Sequence, residues 1–244
     1  MNKVKTILII GANSDIAIAI AHKFASQGYH LQLASRNISD LSLSAEDLKI
    51  RYQISVSIYK LDILDYGYFT TFIQSLNVLP DIALCAVGIL GNQKNDEKSV
   101  LNSSLIMKTN FEGPSLFLGE IANFFEERGY GSIIGISSVA GDRGRASNYI
   151  YGSAKAGFSA FLSGLRNRLH KSKIKVLTIR PGFVRTKMTR DLNLPNLITA
   201  KPKDVANYIY KVRNKSINKA LFPWNYIMFI IKNIPEILFK NLNL

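Results

Sequence analysis

Thr6-Ile-Leu-Ile-Ile-Gly-Ala-Asn-Ser-Asp-Ile-Ala17 decides how the rest of the chain is read. Its first part is an unbroken apolar run that leads straight into Gly11, the pattern of a strand buried on both faces. From Asp15 to Gln27 the apolar residues Ile16, Ile20 and Phe24 recur at helical spacing, and Gly28 supplies a helix stop. The same alternation continues along the chain. Strands are expected at Val4–Ile10, His30–Ala34, Ser55–Leu61, Ile82–Val87, Ile133–Ser137 and Lys175–Ile179, with helical stretches between them. Strands separated by helices build βαβ units, so the pattern predicts an α/β fold: a doubly wound parallel sheet with helices on both faces. No repeat, low-complexity linker or Pro/Ser-rich hinge divides residues 1–244, and one domain is expected.

The composition bounds the function. With 47% hydrophobic and 20% charged residues the chain has the make-up of a globular protein and not of a disordered one. A single cysteine, Cys85, excludes a disulfide framework and fits a reducing compartment. The apolar run at Thr6–Ile10 is too short for a signal sequence, so a cytoplasmic protein is expected, with the option of a peripheral place on the inner membrane face. The charge is lopsided. Residues 1–142 carry 11 Lys/Arg against 14 Asp/Glu, whereas residues 143–190 carry 12 Lys/Arg and no acid, and residues 201–244 carry 8 against 2. The formal +14 therefore lies in the second half. A nucleic acid, a phosphorylated substrate, an anionic membrane or plain solvation would each account for it. No aromatic-basic RNA motif is present, so no nucleic-acid partner is expected.

Within the basic half stands Tyr151-Gly-Ser-Ala-Lys155, with Ser138 thirteen residues before the tyrosine. Tyrosine and lysine at i, i+4 share one helix face, and an ammonium there is expected to draw the phenol pKa down toward an acid/base catalyst's range. Gly135-Ile-Ser-Ser-Val-Ala-Gly141 reads as a strand end and a turn that lets a hydroxyl face that helix. In these residues the chain resembles the short-chain dehydrogenase/reductase family, which implies a Rossmann fold and an NAD(P)(H)-dependent oxidoreductase. The resemblance implies that Tyr151 donates a proton, Ser138 hydrogen-bonds the same oxygen, and Lys155 depresses the tyrosine pKa and reaches the nicotinamide ribose. Ser137 is the competing serine, and the thirteen-residue offset favours Ser138. Thr109-Asn110-Phe-Glu-Gly113-Pro114 resembles the segment in which an asparagine main-chain carbonyl holds a relay water, so Asn110 is the fourth catalytic residue implied. The three histidines, His22, His30 and His170, lie outside this set, and no metal is expected.

The resemblance also places a cofactor. Where the family has G-x-x-x-G-I-G, this chain has Gly11, Ala12, Asn13, Ser14, Asp15, Ile16 and Ala17. A helix N-terminus beside Gly11 suits a pyrophosphate. Asp15 replaces a glycine, and its carboxylate repels that group unless it turns away to cap the helix. After the second strand, Ser35-Arg36-Asn37 offers an arginine where an acid would bind the ribose of NAD, so NADP(H) is favoured over NAD(H), with Ser35 and Asn37 as neutral helpers. Asp62 and Ile63 match the pair that meets the adenine edge. Gly88, in Cys85-Ala-Val-Gly88, lets the backbone lie beside the ribose. Arg180-Pro-Gly-Phe-Val-Arg-Thr186 resembles the segment flanking the nicotinamide, which implicates Pro181, Val184 and Thr186. Residues 186–200 are then a substrate lid.

Two features bear on substrate. Arg143, Arg145, Arg185, Lys187 and Arg190 are expected near the cleft mouth. The tail, residues 220–244, carries Trp224, Tyr226 and Phe229 in an apolar run flanked by lysines. It is too short to span a bilayer and suits an interfacial helix on an anionic membrane, or equally a subunit interface. The Gly-Ala-Asn-Ser-Asp-Ile-Ala turn, Asp142-Arg-Gly-Arg145 and the Pro-Trp tail are similar to the branch of the family that contains decaprenylphosphoryl-2-keto-ribose reductases and related bacterial reductases. That resemblance implies reduction of an anionic or lipid-linked keto-sugar in surface polysaccharide biosynthesis. The alternatives are a soluble ketone such as a 3-oxoacyl thioester, or a non-catalytic NADP- or nucleic-acid-binding protein. A homo-oligomer is expected.

Overall fold

Thr6–Ile10 forms β1, buried at every position. Ile7 and Ile9 enter one hydrophobic core and Leu8 and Ile10 the other. The two-residue period of a strand thus places an unbroken apolar run between two helical layers. The computed structural model describes residues 4–242; residues 1–3, 243 and 244, which the expected domain and tail include, lie outside the described residues.

In chain order the elements are β1, α1 (Asp15–Ala25), β2 (His30–Ser35), α2 (Ser39–Tyr52), β3 (Val56–Lys60), α3 (Phe69–Gln74), β4 (Ile82–Cys85), α4 (Gln93–Asp96), α5 (Val100–Met107), α6 (Gly113–Arg128), β5 (Ser132–Ile136), α7 (Tyr149–Arg168), β6 (Lys175–Arg180), α8 (Pro202–Val212), β7 (Asn218–Ala220), α9 (Trp224–Asn233) and α10 (Glu236–Phe239). The strands form one sheet in the order β3-β2-β1-β4-β5-β6-β7, and each pairing is parallel. The six expected strands are present, with ends displaced by at most two residues. The seventh, Asn-Lys-Ala at β7, was not expected, because two exposed polar residues and one buried alanine at a sheet edge carry no hydrophobic pattern.

The two cores sit on opposite faces. One packs α1, α2 and α8 through residues such as Ile20, Phe24, Leu41, Leu48, Val205 and Ile209. The other packs α3, α6 and α7 through Phe72, Phe117, Ile121, Phe158 and Leu162. Truncating one buried Phe to Ala in such a core costs about 3–5 kcal/mol, a large share of a domain's whole stability of about 5–15 kcal/mol. A third, small core lies under the tail, where Val139, Ala220, Trp224 and Met228 meet Phe183, Ile198, Ile227 and Ile231. The strand order reverses between β1 and β4, and at such a switch point the connections diverge and leave a crevice at the carboxyl ends of the strands.

Candidate active site

A cavity of about 350 Å³ opens at that crevice, lined by the turns that follow β1, β4, β5 and β6 and by the first turns of α7. The turn after β1 is built for close approach. Gly11 has φ +79°, and a Cβ there would stand 3.0 Å from the backbone of Ala86 and Val87. Asn13 ties the turn to the end of β2, its Nδ2 donating to Ser35 Oγ at 2.9 Å and to the Asn37 carbonyl at 2.8 Å. Ser14 caps α1, accepting from the Ala17 amide at 3.2 Å. Asp15 does turn away, but not to cap its own helix. Its Oδ2 accepts the Lys187 amide at 2.5 Å, so the carboxylate ties α1 to the segment expected as a lid.

That segment carries two single turns, Lys187–Thr189 and Asn196–Ile198, and is held at its ends by Arg185 and Ala200. Lys187, Met188, Thr189 and Leu192 line the cavity.

The turn after β5 seats directly on α7, because Gly141 has no side chain: a Cβ would lie 2.5 Å from the Ala156 nitrogen. This contact sets Ser138 against Tyr151. Ser138 is extended, lines the cavity, and accepts from the Ala140 amide at 3.1 Å. Ser137 is engaged elsewhere, donating to the Lys155 carbonyl at 3.0 Å and meeting Ser159 Oγ at 2.7 Å. Lys155 is 3% exposed. Its Nζ lies 5.7 Å from the Tyr151 ring centroid and 3.4 Å from the Ile136 carbonyl. The electrostatics differ from the simple expectation. Burial pushes the Tyr151 phenol up to about 12, only partly offset by a hydrogen bond with Ser138. Burial likewise pushes Lys155 down to about 8. Desolvation dominates both groups, opposed by the Ser138 hydrogen bond at the phenol and by Cys85 at the ammonium.

Asn110 is fully buried in a π-helical turn, Lys108–Glu112, between α5 and α6. Its Nδ2 donates to the Ile89 and Ile106 carbonyls at 2.8 and 2.9 Å, and its Oδ1 accepts the Ile89 amide at 3.2 Å. The side chain is therefore a strut for the loop after β4. Pro114 has no amide, so the Asn110 main-chain carbonyl lacks the i+4 donor of a regular α-helix.

Of the expected cofactor residues, Asn13, Ser14, Asp15, Ile16, Gly88, Tyr151, Lys155, Pro181, Val184 and Thr186 line the cavity. Gly11, Arg36, Asp62 and Ile63 do not. Arg36 is exposed just beyond β2, and the half-buried Asp62 carboxylate holds the Leu64 amide at 3.0 Å. Ser35 and Asn37 are engaged with Asn13 and, for Asn37, with Ser39 and Asp40. The residues present fit a dinucleotide: a glycine turn into a helix N-terminus, an adjoining cavity holding a buried lysine, and an exposed arginine at the end of the neighbouring strand.

Of the five basic residues expected at the cleft mouth, Arg143, Arg185 and Arg190 do not line the cavity, whereas Arg145 and Lys187 do. Arg143 is committed to the tail, donating to the Ile231, Lys232 and Ile234 carbonyls, pairing with Glu236 and stacking on Phe239. Arg185 donates to Asn196. Sequence reasoning missed Asn148 and, as a cavity wall, Trp224. Asn148 was findable, because it lies three residues before Tyr151 and so on the same helix face. Trp224 carried no local signal. Its ring lies over Gly182, where a Cβ would come within 2.0 Å, and its Nε1 donates to the Ile198 carbonyl at 3.0 Å.

The short chain dehydrogenase family model matches residues 5–196. An uncharacterized oxidoreductase of Mycobacterium tuberculosis is 32% identical over 221 residues, covering 89% of this chain and 88% of the relative. A short-chain dehydrogenase from Sphingobium yanoikuyae in complex with NADPH matches with a TM-score of 0.83 at 21% identity, covering 96% of this chain and 97% of that one. A 3-oxoacyl-[acyl-carrier protein] reductase with bound NAD from Brucella melitensis matches with a TM-score of 0.78 at 20% identity, covering 90% of each.

Proposed function

We propose that this chain, which belongs to the short-chain dehydrogenase family and is an NAD(P)-dependent oxidoreductase, reduces the ketone of a keto-sugar with NADPH. The observation that carries the reading is the meeting of Ser138, Tyr151, Lys155 and Arg145 on one cavity beside the Gly11 turn. NADPH, when bound, supplies a hydride to the ketone carbon. Tyr151 gives its proton to the ketone oxygen, where negative charge develops, and Ser138 hydrogen-bonds the same oxygen. Lys155, in its charged form, stabilises the phenolate left behind, and a water held by the Asn110 carbonyl returns a proton. Arg36 supports NADP(H) over NAD(H), since a guanidinium matches a 2′-phosphate and an exposed one can reach it.

The similarity to decaprenylphosphoryl-2-keto-ribose reductases and the exposed apolar tail favour a sugar carried on a lipid phosphate, as in surface polysaccharide synthesis, taken at the inner membrane face. The exposed residues Val100, Leu101 and Leu105 on α5 favour self-association as well. The second reading, a soluble 3-oxoacyl thioester, draws on the apolar wall of Leu90, Met188, Leu192 and Trp224.

Tyr151→Phe tests the enzyme. Loss of a positioned general acid predicts a fall in turnover of about 10²–10⁴-fold with NADPH affinity retained. Turnover that survives the substitution would rule out the mechanism. A panel of keto-sugars and 3-oxoacyl thioesters, with and without a polyprenyl phosphate carrier, decides between the substrate readings.

A further inference from the structure

Two polar groups on the wall of this cavity lack partners. Asn148 stands at the N-cap of α7, where an asparagine oxygen ordinarily accepts from a first-turn amide. It makes no such bond, and its buried Oδ1 has no hydrogen-bond partner among the described residues. Arg145, three residues earlier, lines the same cavity with a buried Nε that is likewise unpartnered among the described residues. The nearby acid, Asp142, is already paired with Arg180. Buried polar groups are nearly always satisfied, and an orphaned guanidinium nitrogen is more costly than a neutral one. An acceptor without a donor and a guanidinium whose neighbouring acid, Asp142, is hydrogen-bonded to Arg180 instead, both on the stretch between Ser138 and Tyr151, describe the complement of a ligand.

We propose that Arg145 and Asn148 form a substrate subsite beside Tyr151 that takes an oxyanion on the guanidinium and a hydroxyl on the amide oxygen. The ligand class is a polyhydroxy ketone bearing a phosphate or a carboxylate. This deepens the reductase reading and rests on it for the ketone, but not for the binding. Arg143 and Arg185 do not line the cavity, being bonded to the tail and to Asn196, whereas Lys187 lines it from the turn after β6.

The chain has one tryptophan, Trp224, and it forms part of the same cavity, so quenching of its fluorescence reports binding without turnover. Wild type, Arg145→Gln, Arg145→Lys and Asn148→Ala would be titrated with ribulose, ribulose 5-phosphate and 5-ketogluconate, following both quenching and NADPH oxidation. Wild type should favour one of the anionic ketoses over ribulose by about tenfold or more, and Arg145→Gln should bring that ratio close to one, as loss of a charge-assisted contact requires. Arg145→Lys should recover part of the ratio, and Asn148→Ala should weaken all three ketoses alike. Inorganic phosphate and geranyl phosphate as competitors separate a free anion from a lipid-borne one. Displacement by either, lost in Arg145→Gln, supports the subsite. Equal affinity for neutral and anionic ketoses in wild type, or an equal loss of both in Arg145→Gln, overturns it. Binding that depends on Arg145 with no turnover of any ketone keeps the subsite and refutes the reductase reading.

Discussion

Lys155 is 3% exposed, and the acceptors around its ammonium are carbonyls at 3.4 and 3.5 Å. Its pKa of about 8 lies below the roughly 10.4 of an unfolded lysine, so between those values the unfolded chain binds more protons. Stability therefore rises with pH across that window, and below about 8 the penalty of the buried charge is fully present, on the order of 3 kcal/mol. Tyr151 acts in the opposite sense. The native state keeps its proton to about 12, so stability falls as pH rises above the unfolded value of about 10. Lys155→Met should raise stability at pH 7 while abolishing turnover, and in urea unfolding it should flatten the rise between pH 8 and 10. For wild type, reductive kcat/KM should decline as pH rises through about 8, where Lys155 loses its charge. A second prediction concerns Arg36. Arg36→Ala should raise the Kd for NADPH roughly tenfold and leave that for NADH within about twofold, as removal of one charge-assisted phosphate contact implies. Calorimetric titration of both nucleotides checks it.

At the scale of elements, Asp15 links α1 to the segment 186–200 through the Lys187 amide. The carboxylate also stands at a helix N-terminus suited to an anion. Asp15→Asn keeps an oxygen for Lys187 and removes the charge. NADPH should bind about fivefold more tightly, the effect of about 1 kcal/mol of repulsion removed at water-like dielectric, and the gain should shrink with added salt. Much of this architecture was legible in the chain. An unbroken run such as Thr6–Ile10 admits few readings other than a buried strand, and Tyr151 and Lys155 share a helix face by spacing alone. What stayed hidden depended on contacts between distant segments. Asp15 gives no hint that its partner is the Lys187 amide, Arg143 gives none that it holds the end of α9, and β7 has no hydrophobic residue beyond Ala220 to announce it. The ionisation of Tyr151 and Lys155 departs from the spacing-based expectation for the same reason: spacing reports proximity, whereas desolvation depends on everything packed around the pair.

Over the whole molecule, the tail has two faces. Trp224 and Met228 are buried, while Phe222, Tyr226, Phe229 and Ile230 are 64–81% exposed, with Lys219, Lys232 and Lys240 close in sequence. Among the described residues no helix is long and apolar enough to cross a membrane. Removing the tail at residue 220 would strip Trp224 from the cavity, so it would not isolate the surface role. Phe229→Asp with Ile230→Asp leaves the buried face intact. Since burying each such side chain is worth about 1.5–3 kcal/mol, the double variant should lose at least tenfold in partition onto phosphatidylserine vesicles. Sedimentation with the vesicles checks it, and unchanged partition would remove the tail from any membrane contact.

Arg143 connects that outer face to the cavity, gripping the end of α9 two residues before Arg145. Should a ligand bind Arg145 and a surface bind α9, both would act on the same short loop, and any coupling between them would be mutual. Whatever factor the docked tail applies to the affinity of the cavity, an occupied cavity applies to the grip of the tail. If the tail does dock on a surface, its residence there would then depend on whether the cavity is occupied.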